Sequence, residues 1–228
     1  MIPIRDHNRT QGTPVVTIAL IALNVIAFFF EFGYLNNELW PAFADKWTII
    51  PAQIVANPVS EFFTVFTAMF LHGGIAHLGG NMLYLWIFGD NIEYRLGHVR
   101  FLIFYLVCGI VATLAQIYID PTSQVPNIGA SGAIAGVLGG YFLLFPMTQV
   151  TTLIPVIFRS IRLPAILVLG FWFLLQFWSG WSSLGVGGEG GGVAFWAHIG
   201  GFVAGVLLVK IFGNTSKLNA AQIDYFQN

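Results

Sequence analysis

Residues 129–146 read GASGAIAGVLGGYFLLFP, in which one serine, Ser131, opens an apolar run of helix length. A second apolar run, residues 193–213, carries His198 near its start. A polar side chain at membrane depth costs free energy, so a function is the first hypothesis for both residues. The alternative is that Ser131 caps a helix and His198 makes an interhelical hydrogen bond. Neither residue alone decides between the two interpretations.

The composition is that of a helical protein with several membrane spans. Of the 228 residues, 57% are hydrophobic and 8% are charged, and apolar runs recur along the chain. The net charge of −1 and the scattered basic residues give no indication of nucleic-acid binding. The single cysteine, Cys108, excludes an internal disulfide and a cysteine-based metal site.

Apolar stretches bounded by charges, glycine or proline predict six spans, at about residues 14–32, 77–95, 100–119, 131–146, 163–180 and 193–213. The second and fourth are short, and short helices cross a membrane only inside protein or beside a water-filled cavity. The first run is expected to remain as an anchor, since the candidate signal-peptide site at residues 42–44 lies too far beyond it. We therefore expect an all-α membrane protein with a six-helix core over residues 14–213, an N-terminal segment of residues 1–13 and a tail of residues 214–228.

Basic residues predict the orientation of the spans. An even number of spans puts both termini on one side, and eight basic residues fall there while Lys46 alone falls opposite. The eight are Arg5, Arg9, Arg95, Arg100, Arg159, Arg162, Lys210 and Lys217. The positive-inside rule places the termini in the cytoplasm, and we expect the cell membrane of a bacterium or archaeon. In this topology Ser131, His72, His77 and His198 converge on the outer side.

Two segments are not predicted to span the membrane. Residues 34–70 mix aromatic side chains with proline and charged residues, which indicates a segment in the outer membrane interface. The glycine-rich residues 185–192 are predicted to form a loop, either a plain linker or a flexible cap over an outer cavity.

A helix that begins at Ser131 points its free N–H groups and the positive end of its dipole toward the outer cavity. The amides of Ala130 or Ser131 could therefore donate to an oxyanion. Gly129 and Gly132 have no side chain, so a substrate backbone could approach the hydroxyl closely. His198 is the candidate base that would remove the serine proton.

Glycine stripes predict that the two helices pack closely. One stripe is Gly132, Gly136 and Gly140, and the other is Gly201 and Gly205. By itself such a stripe indicates only packing.

His77 and Asn81 are spaced i, i+4, which puts both side chains on one helix face. Both can donate hydrogen bonds, so they suit an oxyanion pocket, and two satisfied interhelical polar residues are the alternative. His72 lies in the preceding turn, which we expect it to hold by hydrogen bonds.

Other reaction classes fit less well. No carboxylate is predicted on the outer helix ends, where the nearest acidic residues are Asp120 and Glu189, so a Ser–His dyad is expected rather than a triad. Without a His-Glu-x-x-His pattern or a carboxylate cluster, a zinc protease is not expected. Asp90 lacks a second intramembrane aspartate to share a proton, so we interpret it as an interfacial charge near Arg95. A small transporter is disfavoured because no inverted repeat is evident, and a non-catalytic protein that binds membrane helices stays an alternative.

Together these motifs resemble the rhomboid family of intramembrane serine proteases. They are His77-x-x-x-Asn81 in the second span, Gly129-Ala130-Ser131-Gly132 at the start of the fourth, and Ala197-His198-x-x-Gly201 in the sixth. Their order and spacing fit the whole six-helix core, and the three motifs together are far more specific than the serine motif alone.

The resemblance implies a six-helix bundle around a water-filled outer cavity, with the first loop in the outer leaflet. It implies that Ser131 is the nucleophile, that His198 is the general base, and that the oxyanion hole is formed by His77, Asn81 and the Ser131 amide. The fifth helix and the loop after it would form a substrate gate with Trp172, Phe173, Phe177, Trp178 and Trp181. Members cleave single-span membrane proteins within or near the outer part of the substrate helix, and no cofactor or metal is expected.

Two positions depart from the family pattern. Many members carry a Trp-Arg pair in the first loop, where this chain has Phe63-Thr64, so another contact must anchor that loop. Many also place a tyrosine one turn after the serine to support the catalytic imidazole, and this chain has Ala135 there. Another group is therefore expected to orient His198.

Overall fold

The computed structural model describes residues 1–8, 10, 12–35, 37–184 and 193–213. The predicted loop of residues 185–192 and the predicted tail of residues 214–228 lie outside the described residues. Arg9 also lies outside them.

In chain order the described residues form strand β1 (Ile2–Asp6), helices α1 (Val15–Phe32), α2 (Trp40–Trp47), α3 (Pro51–Ala56), α4 (Pro58–Glu61), α5 (Thr64–Thr67), α6 (Ile75–Leu96), α7 (His98–Ile119) and α8 (Ser131–Leu144), strands β2 (Gln149–Ile154) and β3 (Arg159–Pro164), and helices α9 (Ala165–Ser183) and α10 (Phe195–Phe212). Short 3-10 turns lie at Ala68–Phe70 and Pro155–Ile157. The helices α1, α6, α7, α8, α9 and α10 fall on the six stretches predicted from the apolar pattern.

Within the described part of the chain, α1, α7, α9 and α10 are long and apolar enough to cross a membrane. Residues Pro58–Phe70 and α6 pass the same test together, but they are bent by 81°, so they add a fifth crossing only as one broken span. With 14 residues, α8 is shorter than a bilayer core requires. Length and composition therefore support four or five crossings, and the six-span count stays a prediction.

The short helix α8 lies in the middle of the bundle, and its residues from Gly132 to Tyr141 are all buried. A Cβ on Gly201 of α10 would overlap the carbonyl oxygen of Gly132, and a Cβ on Gly205 would overlap that of Gly136. The backbones of α8 and α10 therefore touch, as the glycine stripes predicted. Because protein surrounds α8, the helix needs no lipid-spanning length.

A three-stranded antiparallel sheet, in the order β1-β2-β3, lies at the end of the bundle opposite Ser131 and corrects the all-α expectation. Val150 and Thr152 of β2 are fully buried, so one face of the sheet packs on the bundle. Phe158, with a φ of 49°, lies in the left-handed region at the turn between β2 and β3. Each strand has five or six residues, too few to stand out in a search for apolar spans.

A polar cluster joins the sheet to the helices. Asp6 of β1 accepts hydrogen bonds from the Tyr141 hydroxyl and from Asn91 Nδ2, both at 2.8 Å. Asp90 accepts a hydrogen bond of 3.0 Å from the Thr10 hydroxyl. Asp90, expected from the sequence to be an interfacial charge near Arg95, thus helps to hold the N-terminal segment against α6.

Glu93 of α6 caps the first turn of α1. Its buried carboxylate accepts hydrogen bonds of 2.8 Å from the backbone N–H groups of Val16 and Thr17, and one of 2.7 Å from the Thr17 hydroxyl. The first N–H groups of a helix have no intrahelical partner and carry the positive end of its dipole, so a carboxylate is well placed there. The side chain of His98 also contacts this carboxylate.

Residues 34–70 contain the four short helices α2 to α5, and backbone hydrogen bonds pin them to the loop before α8. Ile49 and Asn127 exchange two such bonds, of 3.1 and 2.7 Å. Thr64, which stands where many rhomboids have arginine, is fully buried and donates a 2.7 Å hydrogen bond to the Glu61 carbonyl. These bonds hold the segment without an arginine, and its place in the membrane interface stays a prediction.

Candidate active site

Ser131 is the first residue of α8, and the backbone before it has a conformation that favours glycine. Gly129 has a φ of +128°, which a residue with a side chain rarely adopts. Its N–H donates a 2.9 Å hydrogen bond to the Ala68 carbonyl, which ties the turn to the preceding segment. The following residue, Ala130, is fully buried. This turn puts the serine at the positive end of the α8 dipole.

The Ser131 hydroxyl is hydrogen-bonded to His198, although 67 residues separate them in sequence. Oγ lies 2.7 Å from Nε2 of the imidazole, which projects from the first turn of α10. The close approach of α8 and α10 at Gly132 and Gly201 brings the two side chains together. A nucleophile and a base at hydrogen-bond distance are the arrangement required for nucleophilic catalysis.

Gln176 of α9 contacts the other nitrogen of the same imidazole. Its Oε1 lies 2.8 Å from His198 Nδ1, and the ring of Trp172 lies 5.8 Å from the imidazole, centroid to centroid. Gln176 is thus in the place of the unnamed group expected to orient His198, and it was not among the residues singled out from the sequence. The signal was available, because apart from tryptophan it is the only hydrogen-bonding side chain in residues 165–178.

His77 of α6 lies beside the serine. A Cβ on Gly129 would be 2.9 Å from His77 Nε2 and 3.5 Å from Ser131 Oγ, so the imidazole and the hydroxyl meet at the same glycine. A side chain at position 129 would therefore push into His77 and cover the hydroxyl.

Asn81, one turn further along α6, is 8% exposed, and its Nδ2 has no hydrogen-bond partner among the described residues. Buried donors normally have a partner, so this one is the kind of group that a bound ligand would satisfy. The observation favours the oxyanion interpretation of Asn81 over that of a satisfied interhelical amide.

Gly132 does not provide the open approach expected from the sequence. A Cβ on Gly132 would lie 2.7 Å from the Cβ of Ala112 on α7, so the glycine is used for helix packing. Of the two glycines proposed to admit a substrate backbone, Gly129 has the serine hydroxyl within reach of an added Cβ, at 3.5 Å, while the space at Gly132 is occupied by α7.

Two further expectations for this end of the bundle need correction. Glu31, at the end of α1, is a fully buried carboxylate at this end of the bundle, where only Asp120 and Glu189 were expected as the nearest acidic residues. It accepts a 2.7 Å hydrogen bond from the backbone N–H of His72. The turn is thus held through the His72 backbone, while the His72 ring packs edge-on against His77 at 5.1 Å.

The predicted gate residues divide into two groups on α9. Trp172 and Phe173 pack inward against Phe202 of α10, with centroid distances of 6.2 and 4.7 Å. The other three, Phe177, Trp178 and Trp181, are exposed on the helix surface. The aromatic side chains therefore continue from the imidazole to the exposed surface of α9.

A cavity of about 40 Å³ lies beside Ser131, between α7 and α8. Its lining includes Thr113, Gln116 and Asn127. It has room for a few water molecules and polar side chains to bind them. In the part of the chain that the structure describes, no three His, Cys, Asp or Glu side chains are grouped to hold a metal ion.

Comparison with known proteins identifies the family. The family model described as Rhomboid domain matches residues 59–215. The chain is 34% identical over 201 residues to Rhomboid protease GluP of Bacillus subtilis, covering 87% of this chain and 36% of that protein. It is 28% identical to Rhomboid protein 1, mitochondrial, of Saccharomyces cerevisiae, over 83% of this chain and 51% of that protein. It is 27% identical to Rhomboid-related protein 2 of Mus musculus, over 85% of this chain and 62% of that protein.

These matches confirm the resemblance read from the sequence motifs. Together with the apolar helices, they indicate an integral membrane protein. The chain spans between about a third and two thirds of the length of these curated relatives.

Proposed function

Because the chain belongs to the rhomboid family, we propose that it is an intramembrane serine endopeptidase. In this proposal it cleaves single-span membrane proteins within or near the outer part of their transmembrane helix. The observation that carries the proposal is the 2.7 Å contact between Ser131 Oγ and His198 Nε2 at the start of a buried helix. The similar protein of Bacillus subtilis named above, GluP, is called a rhomboid protease.

The proposed reaction proceeds through an acyl-enzyme. Ser131 Oγ attacks the scissile carbonyl carbon while His198 Nε2 takes the hydroxyl proton. The imidazolium then gives this proton to the leaving amine as the peptide C–N bond breaks. A water molecule, deprotonated by the same nitrogen, attacks the acyl-enzyme and releases the carboxylic product and the free serine.

The negative oxygen of the tetrahedral intermediates needs donors that are already in place. The candidates are the amide N–H groups of Ala130 and Ser131, with His77 and Asn81 from α6. Support comes from the position of His77 beside Gly129 and from the buried, unpartnered Nδ2 of Asn81. Donors fixed before the reaction stabilise the developing charge without a cost of reorganisation.

Water for the second half of the reaction requires a source next to the serine. The cavity lined by Thr113, Gln116 and Asn127 supports the proposal, since it borders Ser131 and carries polar side chains. Neither half-reaction needs a cofactor or a metal ion.

The substrate must expose a carbonyl that a helix normally hides in a hydrogen bond. We therefore expect substrates whose helices unwind easily, with glycine, proline or small residues near the cleavage point. Entry past α9 is the proposed route, because Phe177, Trp178 and Trp181 form an exposed aromatic surface on that helix. The proposed orientation keeps both termini in the cytoplasm of a bacterial or archaeal cell, with the site near the outer surface.

A serine-reactive fluorophosphonate tests the proposal directly. The full chain in detergent micelles should be labelled at Ser131, and both Ser131→Ala and His198→Ala should lose the label. Ser60→Ala and His7→Ala are matched controls, since both side chains are exposed and outside the site. If Ser131 takes no label while His198 is intact, the protein is a non-catalytic helix-binding relative rather than a protease.

Co-expression with a panel of single-span membrane proteins tests the substrate class. Cleavage products should appear with the wild-type chain and be absent with Ser131→Ala. For a cleaved substrate, replacing glycine or proline near the cut by leucine should slow cleavage, because the helix becomes harder to unwind. An unchanged rate would contradict the expected dependence on helix stability.

A further inference from the structure

Gln176 is an isolated amide in an otherwise apolar part of α9, and it makes a specific contact. Its Oε1 lies 2.8 Å from His198 Nδ1, on the opposite side of the ring from Ser131. We propose that Gln176 is a positioning residue that orients the imidazole of His198 toward Ser131. This inference rests on the proposed function.

The tautomer of the imidazole gives Gln176 its role. To accept the serine proton at Nε2, the neutral ring must carry its own proton on Nδ1. A proton on Nδ1 is favoured when an acceptor faces it, and the amide oxygen of Gln176 is that acceptor. The hydrogen bond also stops the ring from turning, because it fixes one nitrogen on α9 while the other meets Ser131 on α8.

An amide is suited to a place where a carboxylate would be costly. α9 carries no charged side chain along its whole length, and an ionised group in such a helix is expensive at membrane depth. Gln176 accepts a hydrogen bond from Nδ1 without bringing a charge into the bundle. In return it stabilises the protonated imidazole less than a carboxylate would.

The support for the base therefore comes from α9 rather than from α8. Ala135, at the position where many rhomboids have tyrosine, has a methyl side chain that provides neither a ring nor a hydrogen bond to the imidazole. Trp172, one turn before Gln176, lies 5.8 Å from the imidazole, so α9 supplies both the ring contact and the hydrogen bond. A displacement of α9 from α10 would break the link to the base.

The test measures how fast the full chain in detergent micelles reacts with a fluorophosphonate between about pH 3.5 and 9, a window that extends on both sides of the range of about pH 5 to 8 in which histidine normally titrates. Among the described residues, His77 is the titratable side chain that acts electrostatically on His198. The variants are Gln176→Leu, which removes the acceptor, and Gln176→Glu, which keeps an oxygen in its place. Leu175→Met is the control on the same helix, because Leu175 is 46% exposed.

We expect Gln176→Leu to react about tenfold more slowly than the wild type, the effect of one lost hydrogen bond. Gln176→Glu should recover most of the labelling rate. The acidic limb of its profile of labelling rate against pH should move to higher pH, because a carboxylate stabilises the protonated ring. Leu175→Met should behave as the wild type. The melting temperature of each variant is measured alongside.

Two results would overturn the inference. One is a wild-type rate and pH profile in Gln176→Leu. The other is a slow Gln176→Leu together with an equally slow Gln176→Glu whose acidic limb is unmoved, since Gln176 would then serve only packing. If Gln176→Leu does not fold, the pH profile of Gln176→Glu decides alone. Failure of the proposed function looks different, because the wild type would then carry no more label than Ser131→Ala.

Discussion

A Cβ on Gly201 of α10 would overlap the carbonyl oxygen of Gly132, the residue that follows Ser131 on α8. The distance between Ser131 and His198 therefore depends on a backbone contact only one residue from the serine. It also depends on a glycine three residues beyond the histidine.

The variant Gly201→Ala should separate α8 from α10 and disturb the dyad. Overpacking of a tight contact costs about 1–3 kcal/mol, and a shift of about 1 Å at a catalytic contact can cost about 100-fold in rate. We expect slower fluorophosphonate labelling and a lower Tm. Gly170→Ala is the matched control, because its new Cβ would meet Phe142 at an ordinary distance of 3.7 Å. Equal labelling of the two variants would show that the backbone contact does not set the site.

The variant Asn81→Leu should lower turnover while leaving the fold intact. Loss of one oxyanion donor costs about 2.7–4 kcal/mol of transition-state stabilisation, or about 100- to 1,000-fold in kcat. The Tm should change little, because Nδ2 has no hydrogen-bond partner to lose among the described residues. The measurement is the cleavage rate of a single-span substrate beside the melting curve. Full activity in this variant would remove Asn81 from the oxyanion hole.

The variant Glu93→Ala should destabilise the attachment of α1. It removes the acceptor of three hydrogen bonds at the start of that helix, from Val16 and from the amide and hydroxyl of Thr17. A decrease of about 2–3 kcal/mol in the free energy of unfolding would lower the Tm of a chain of this size by about 5–10 °C. Glu38→Ala, at an exposed position, is the control. An unchanged melting curve in detergent for Glu93→Ala would contradict the capping role.

The variant Asp6→Asn should remove part of the pH dependence of stability. Burial raises the pKa of the Asp6 carboxyl to about 6, and Asp90 adds to the rise, while hydrogen bonds from Tyr141 and Asn91 oppose it. The folded protein thus binds this proton more tightly than the unfolded chain, whose pKa is about 4. The stabilising contribution is complete below about pH 4 and is lost as the pH rises through 6.

Melting curves of the wild type, recorded from about pH 4 to 8, should therefore show a fall in Tm that Asp6→Asn reduces. Asn at position 6 keeps an oxygen for Tyr141 and Asn91 and carries no charge at high pH. The exposed Asp45→Asn should retain the wild-type dependence. If the Tm of the wild type and the Tm of Asp6→Asn changed equally with pH, Asp6 would not titrate in this range.

The helices and the candidate dyad were predictable because their signals lie within short stretches of sequence. The apolar pattern located α1 and α6 to α10 to within a few residues, and the stripes of Gly132 and Gly201 indicated which helix faces touch. The composition and the hydrophobic periodicity of a segment predict whether it forms an apolar helix, and both can be read from that segment alone. The three strands were not predictable in this way, since five or six residues with mixed polarity carry too weak a signal.

Contacts between distant segments could not be read in this way. The sequence shows Ser131 and His198 as polar residues in apolar helices. Because burying a polar side chain costs free energy, both are recognisable as candidate functional residues from the sequence alone. Which side chain faces Nδ1 of His198 depends on the rotation and depth of α9 against α10, and these are set by packing across the whole bundle. For this reason the sequence marks Gln176 only as an isolated polar residue in an apolar helix, and its contact with His198, 22 residues away, depends on the assembled helices. The contact of Glu31 with the His72 backbone arises in the same way from the placement of α1.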